Sequence, residues 1–445
     1  MSTITNHEPK SDDIRHRIFK WEKVLWDKFY SPESHLLYER EFTDAGQFPS
    51  PAEMAACIPS PRGAGTGMED SCLNGGWHLD GMLSGHRVTG DQTYADKARL
   101  LFQGLVRLGS IGKTRGFVAR SFAPGRTDVY PNSSADQYTA FVFAMWAYAT
   151  SSVATEEERQ TACGLAVDVA RLLESFHDDI PTDNMEPSIY GDTAAIRPDR
   201  ACRLLQAYKT AYALSGDRHW EDLYRDRIEA DGRARLRCHY GHPDVAPVFL
   251  KHAVYGYVQS QAAQYQLRAM EQDAELRRYY ELAMVDTARV VLPRVAEWRA
   301  QHERPPYEVI PGRWKLFWGH FVNAHPTWRI HTPFLNEHGL RVDAGHHAFG
   351  VFIKENEARV LKEAEQYGHS GILARRMMRT SVMAVPIEAA ITAIWTYDDD
   401  IRKEAAVELR AMLETVDFSN AGGVNGFACL SSAYWRSVEA GIFPT

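Results

Sequence analysis

The alternation of apolar and polar positions sorts the chain into two kinds of helix. Six segments, near residues 69–88, 133–149, 197–214, 247–269, 381–397 and 424–440, are apolar almost all round. Each is preceded by a more amphipathic segment, near 12–30, 91–109, 155–176, 217–231, 274–299 and 400–415. A helix that is apolar on every side is one that is buried on every side. The joins repeat as well. "HRVTGDQTYADKARLLFQGLVRL" from His86 and "AYALSGDRHWEDLYRDRI" from Ala211 both end one helix on Gly and start the next on Asp. Gly supplies a left-handed C-cap and Asp the following N-cap, and such self-similarity signals a repeat architecture. The pattern predicts an all-α fold, an (α/α)6 toroid of six inner and six outer helices. Only "RGFVARSF" (Arg115–Phe122) alternates weakly, as a strand would.

Loop lengths orient this toroid. Connections from an apolar helix to the next amphipathic one are short, of the TGD and SGD kind. The reverse connections, about 31–68, 110–132, 177–196, 232–246 and 300–380, are long. In an alternating toroid the long loops all open on one face, where function is expected. The N-termini of the inner helices therefore point into the candidate site, and 300–380 reads as an insertion on that face.

Length agrees with a closed architecture, because 445 residues exceed the roughly 250 to 300 that one ordinary core supports. We read residues 1–445 as a single domain. A net charge of -8 and a pI near 6.1 argue against nucleic acid as a partner. The N-terminus "MSTITNHEPKSDDIRHR" has no apolar signal region, and no run of about 18 apolar residues occurs to span a membrane. Six scattered cysteines without a C-x-x-C pair suit reduced thiols. Together these features predict a cytoplasmic protein with no membrane partner. Eleven Trp and twenty Tyr suit either a core or a cleft in which rings stack on sugars.

The polar groups at the inner-helix N-termini are the candidates for chemistry. Glu69 and Asp70 fall in the first turn of the first inner helix, and Asp136, Gln137 and Tyr138 in that of the second. Tyr190, Asp192, Arg197 and Arg200 precede the third. The insertion carries His325, Trp328 and His331, and its six histidines are completed by His320, His338, His346 and His347. No H-E-x-x-H or comparable spacing links them, so neither a metal nor a cofactor is expected. Two readings compete for the acids. Thr66-x-x-Glu69 and Ser133-x-x-Asp136 have capping-box spacing, and a helix N-terminus would hold their pKa low. A general acid needs the opposite, so Asp136 would have to be desolvated or crowded by another carboxylate. Arginines that face the cleft would suit an anionic substrate.

The TGD-type turns, "SSADQYT" and "GMED…GGWHLDGMLSGHRVTGD" together resemble the six-hairpin glycosidase superfamily. Within it the chain is most similar to the unsaturated glucuronyl and rhamnogalacturonyl hydrolases and to (α/α)6 beta-glucuronidases. The resemblance implies a glycoside hydrolase acting on small, uronate-containing oligosaccharides. Asp136 would be the general acid, and Glu69 or Asp70 its partner. Gln137, Tyr138, Tyr190, Asp192, Arg197, Arg200, His325, Trp328 and His331 would bind substrate. The paired-Asp signature of the unsaturated-uronate enzymes is absent. Three other classes remain open. An (α/α)6 uronate lyase would take its base from Tyr138, Tyr190, Tyr255, His325 or His331 and neutralise the carboxylate with Arg. A sugar epimerase and a non-catalytic carbohydrate-binding protein complete the set.

Overall fold

The computed structural model describes residues 11–245 except 40, 43–45, 47, 59–60 and 64–65, then 254–301, 333–335, 341–343, 384–415, 424 and 428–444. These residues are mostly helical. The helices are α1 (Ser11–Lys28), α2 (Pro51–Ala55), α3 (Ser71–Thr89), α4 (Gln92–Leu108), α5 (Ala135–Ala149), α6 (Glu156–Ser175) and α7 (Ala201–Ser215). They continue with α8 (Arg218–Arg237), α9 (Val254–Met270), α10 (Ala274–Gln301), α11 (Ala384–Ile394), α12 (Asp399–Thr415) and α13 (Ala428–Glu439). Apart from the short α2, they coincide with the twelve expected segments. Two small antiparallel hairpins accompany them. One pairs β1 (Tyr30–Ser31) with β2 (Leu36–Leu37), and the other pairs β3 (Pro333–Leu335) with β4 (Arg341–Asp343). Arg115–Phe122 forms no strand. Its Ala119 N–H instead bonds Leu108 O, 3.0 Å away, and its Arg120 carbonyl accepts from Cys72 N–H at 3.1 Å.

The repeated joins behave as their residues dictate. Gly90 and Gly216 close α3 and α7 at φ 69° and 72°, a conformation that only Gly adopts without strain. Asp91 and Asp217 then cap α4 and α8, accepting from Thr93 N–H at 2.8 Å and His219 N–H at 3.0 Å. The apolar helices touch in sequence. α3 packs on α5, α5 on α7, α7 on α9, α9 on α11, α11 on α13, and α13 on α3. Each of α3, α5, α7, α9 and α11 also packs on the amphipathic helix that follows it. Small residues let these buried helices approach closely. A Cβ on Gly76 would lie 2.8 Å from Ala140 O of α5, and one on Gly81 would lie 2.7 Å from Ser432 N of α13.

Large side chains fill the space between the apolar helices away from their N-termini. Trp77 of α3, Phe143 of α5 and Trp395 after α11 pack with ring centroids 5.4 to 5.5 Å apart. Beside them Arg436 of α13 grips Asp80 of α3 with two bonds, Nη2 to Oδ1 at 2.5 Å and Nε to Oδ2 at 2.7 Å. The Arg436 guanidinium also lies 4.7 Å from the centre of the Tyr265 ring. Asp80 thus belongs to this packing and not to the face that carries Glu69. No helix among the described residues is long and apolar enough to cross a membrane. No disulfide joins Cys57, Cys72, Cys163, Cys202, Cys238 or Cys429.

Candidate active site

The polar groups gather at the N-terminal ends of α3, α5 and α7. Helix α3 begins at Ser71, so Glu69 and Asp70 precede its first turn instead of lying in it. Asp70 occupies the N-cap position, yet its side chain caps nothing. Gln137 of α5 does that work. Its Oε1 accepts from Leu73 N–H at 3.0 Å, and its Nε2 donates to Asp70 Oδ1 at 2.7 Å. Arg120 completes the bracket. Its Nε donates to Glu69 O at 2.6 Å, its Nη1 to Ser134 Oγ at 2.9 Å and its Nη2 to Asp70 Oδ1 at 2.7 Å. One guanidinium therefore ties the start of α3 to the N-cap of α5, in the forked geometry that suits Arg. With Asp70 relieved of capping, its carboxylate is free to face other charges.

One neighbouring carboxyl was not selected from the sequence. Glu39 follows β2 and is held by its backbone, with its N–H bonded to Gly67 O at 3.0 Å and its carbonyl to Val424 N–H at 2.9 Å. Carboxylate oxygens of Glu39, Glu69 and Asp70 all lie within 4.8 Å of one another. Burial, then the Glu69 and Asp70 charges, push the Glu39 carboxyl well above its ordinary range. Glu69 is raised too, by burial and by Asp70, against the pull of Arg62, Arg120 and Glu39, all of which lower it. Three carboxylates at this spacing have the donor count of a divalent-cation site. Asp70 Oδ1 already accepts from both Arg120 and Gln137.

Asp136 has the opposite surroundings. It lies in the first turn of α5, but the N-cap is Ser134 and no side chain caps the helix, so the Ser133-x-x-Asp136 capping box does not form. Neither does the Thr66-x-x-Glu69 box, because the Thr66 hydroxyl bonds Gly63 O at 2.6 Å. The Asp136 carboxylate instead takes Arg203 Nη1 at 2.6 Å. Burial alone would raise its pKa, but Arg203, Arg200 and Arg120 outweigh burial and hold it below the usual carboxylate range. Arg203 is 2 % exposed and Asp136 is 37 % exposed. Protein thus crowds Asp136 while water still reaches it. The carboxylate crowding expected at Asp136 is found at Glu39 and Glu69 instead.

The remaining candidates divide in two. Arg197 and Arg200 are occupied by Asp192 and Asp199, with four N–O distances of 2.9 to 3.2 Å. This network fixes the turn before α7, so Asp192, Arg197 and Arg200 hold one another. The Tyr138 hydroxyl accepts from Val118 N–H at 3.1 Å and donates to Gly116 O at 3.2 Å. Its ring is buried, and the group anchors the 110–134 connection. Gln137 is fully buried and acts on Asp70. Tyr190 is half-buried with the Arg62 guanidinium 4.7 Å above its ring, and β4 of the insertion packs on this turn. His325, Trp328 and His331, with His320, His338, His346 and His347, lie outside the described residues. No protein-family model matches the chain, and no curated protein matches it either.

Proposed function

We propose that the chain is an (α/α)6 toroid, and a glycoside hydrolase acting on small, uronate-containing oligosaccharides at the N-terminal ends of its inner helices. The run of contacts from α3 round to α13 and back to α3 supports the toroid, and the long connections before α3, α5, α7, α9 and α11 support one functional face. One observation carries the chemistry. Two carboxyls that both feel the Arg120 charge are held apart, Glu69 raised and Asp136 lowered. Glycoside hydrolysis needs such a pair, with a protonated acid for the leaving oxygen and an ionised carboxylate for water or the anomeric carbon. The roles are thereby reversed from the sequence expectation. Glu69 is the acid, and Asp136, ionised by Arg203, is the base or nucleophile. Arg62, beside Tyr190 and close enough to lower Glu69, fits a substrate carboxylate. Tyr138, bonded at both ends, offers no base for elimination.

The test is turnover of a panel of saturated and unsaturated uronic disaccharides, followed by product chromatography and by ultraviolet absorbance of the conjugated enuronate. Release of free sugars without a new chromophore is expected. A growing chromophore would replace the hydrolase with a lyase. No turnover anywhere on the panel would overturn the substrate class.

A further inference from the structure

We propose that a groove between α1 and the start of α4 binds a small aromatic carboxylate. The Lys97 ammonium meets the carboxylate, and the rings of Phe19, Trp26 and Tyr94 enclose the body of the ligand. The groove holds about 350 Å³, within the range of roughly 300–1,000 Å³ for small-molecule sites. It lies beside the turn from α3 to α4, at the end of α3 away from Glu69. The proposal is therefore independent of the hydrolase reading. Its walls suit a flat ring. Phe19 is 40 % exposed and stands at the mouth, while Tyr94 is buried and Trp26 half-buried. Aromatic side chains hold another ring in offset or edge-on contact.

The polar groups around the groove decide the charge of the ligand, because the acids already have partners. Glu22 accepts from Trp435 Nε1 at 3.1 Å and from the Tyr94 hydroxyl at 3.3 Å. Asp27 pairs with Lys23 at 2.5 Å. Asp91 accepts from Thr93 N–H at 2.8 Å, which caps α4. Trp26 Nε1 donates to His78 Nε2 at 3.1 Å, so Trp26 offers the groove its ring face. Lys97 differs from all of these. Its Nζ stands 5.0 Å from the centre of the Trp26 ring, and Glu22, Asp91 and Asp27 act on it through space and not through a hydrogen bond. Burial pulls its amine below the ordinary value against those three charges, so the protein leaves this ammonium short of negative charge. A partly buried charge is stabilised by a direct partner, and a bound carboxylate supplies one. One ammonium matches a monoanion. A phosphate dianion would face Asp27 and Asp91 with no guanidinium fork to hold it. A sugar acid needs acceptors for its hydroxyls, and the acids here already accept from Trp435, Tyr94, Lys23 and Thr93.

Isothermal titration calorimetry of the full-length protein with benzoate tests the site without any turnover. Saturable binding at one site per chain is expected. Lys97→Met should weaken it by roughly tenfold or more, the scale of one hydrogen bond to a charged group. Lys97→Arg, which keeps the charge, should retain most of the affinity, and circular dichroism checks that both variants fold. Benzyl alcohol keeps the ring and loses the charge, so it should bind the wild-type protein as weakly as benzoate binds Lys97→Met. Phe19→Ala should weaken benzoate as well, because it removes the ring at the mouth. Equal benzoate affinity in the wild-type protein and Lys97→Met would overturn the proposal, as would benzyl alcohol that binds as tightly as benzoate. The absence of saturable binding at millimolar benzoate would overturn it too. So would glucuronate that displaces benzoate, since the groove would then be a sugar site.

Discussion

Asp136→Asn separates the three roles that this residue could have: a helix cap, a structural ion-pair partner or a catalytic carboxylate. The substitution keeps the shape and one acceptor oxygen but removes the charge that faces Arg203. Removing one partner of a fully buried ion pair costs roughly 3–5 kcal/mol. Arg203 is buried, but Asp136 is 37 % exposed, so solvent screens part of the loss. A hydrogen bond to a charged group, worth roughly 1.5–3 kcal/mol, is the better guide. An unfolding entropy of about 2.1 cal/mol/K per residue over 445 residues amounts to about 0.9 kcal/mol/K. The melting temperature should therefore fall by only about 2–3 °C, as read by circular dichroism. Activity on the disaccharide that the wild-type protein turns over should fall by roughly a hundredfold to ten-thousandfold. A variant that keeps most of its activity would refute the catalytic role. A collapse of the helical signal near room temperature would show that Asp136 is chiefly structural.

Two further predictions concern the frame that holds the site. Asp80→Leu leaves the Arg436 guanidinium uncompensated among Tyr265 and Trp395 and should cost roughly 3–5 kcal/mol, while adding Arg436→Met should recover most of it; urea titrations of the wild-type protein, the two single variants and the double variant measure the coupling. The pH dependence has a definite sign. Arg436 and Ser432 outweigh burial and depress the Asp80 carboxyl, so its stabilisation is complete above the unfolded value of about 3.9 and disappears as pH falls through the folded value. Asp80→Asn should thus flatten the acid limb of the stability curve, and an unchanged limb would contradict the assignment. Gln137→Leu strands the Leu73 N–H and removes a donor from Asp70, at a cost of about 1–3 kcal/mol in a denaturant titration; no change would mean that water replaces the bracket.

The regular helices were legible because their signals are local. Gly90–Asp91 and Gly216–Asp217 state a C-cap followed by an N-cap within two residues, and the uninterrupted apolar run of α5 leaves no exposed face. What escaped is non-local. Glu39 stands thirty residues before Glu69, after "LLY", and backbone bonds to Gly67 and Val424 hold it in place. Its one sequence signal is a charge directly after three apolar positions. Arg203 carried a plainer signal, since it is a lone charge inside the apolar run "ACRLLQAY" of α7. A charge at such a position needs a partner, and Asp136 is that partner. Arg197 and Arg200 misled because guanidinium chemistry is the same whether the carboxylate belongs to a substrate or to Asp192 and Asp199.

The electrostatics of the helix ends explain why the contrast between these carboxyls carries weight. The N-terminus of a helix favours the charged form of a carboxylate lying on it, so every acid at the ends of α3 and α5 starts with a bias towards ionisation. Asp136 follows that bias, and Arg203, Arg200 and Arg120 reinforce it. Glu69, just before α3, goes against it. Arg62 and Arg120 stand near enough to pull Glu69 down, yet burial and the Asp70 charge prevail. Two outcomes at neighbouring helix ends cannot come from the helices, which act on both in the same sense. They come from how the arginines are apportioned. Asp136 has Arg203 bonded directly to its carboxylate, whereas Arg120 gives its bonds near the raised pair to Asp70 Oδ1 and to the Glu69 main chain. Moving that balance by a single residue, as Asp70→Asn does by freeing Arg120 and removing a repelling charge, should bring Glu69 back towards an ordinary carboxyl while leaving Asp136 ionised.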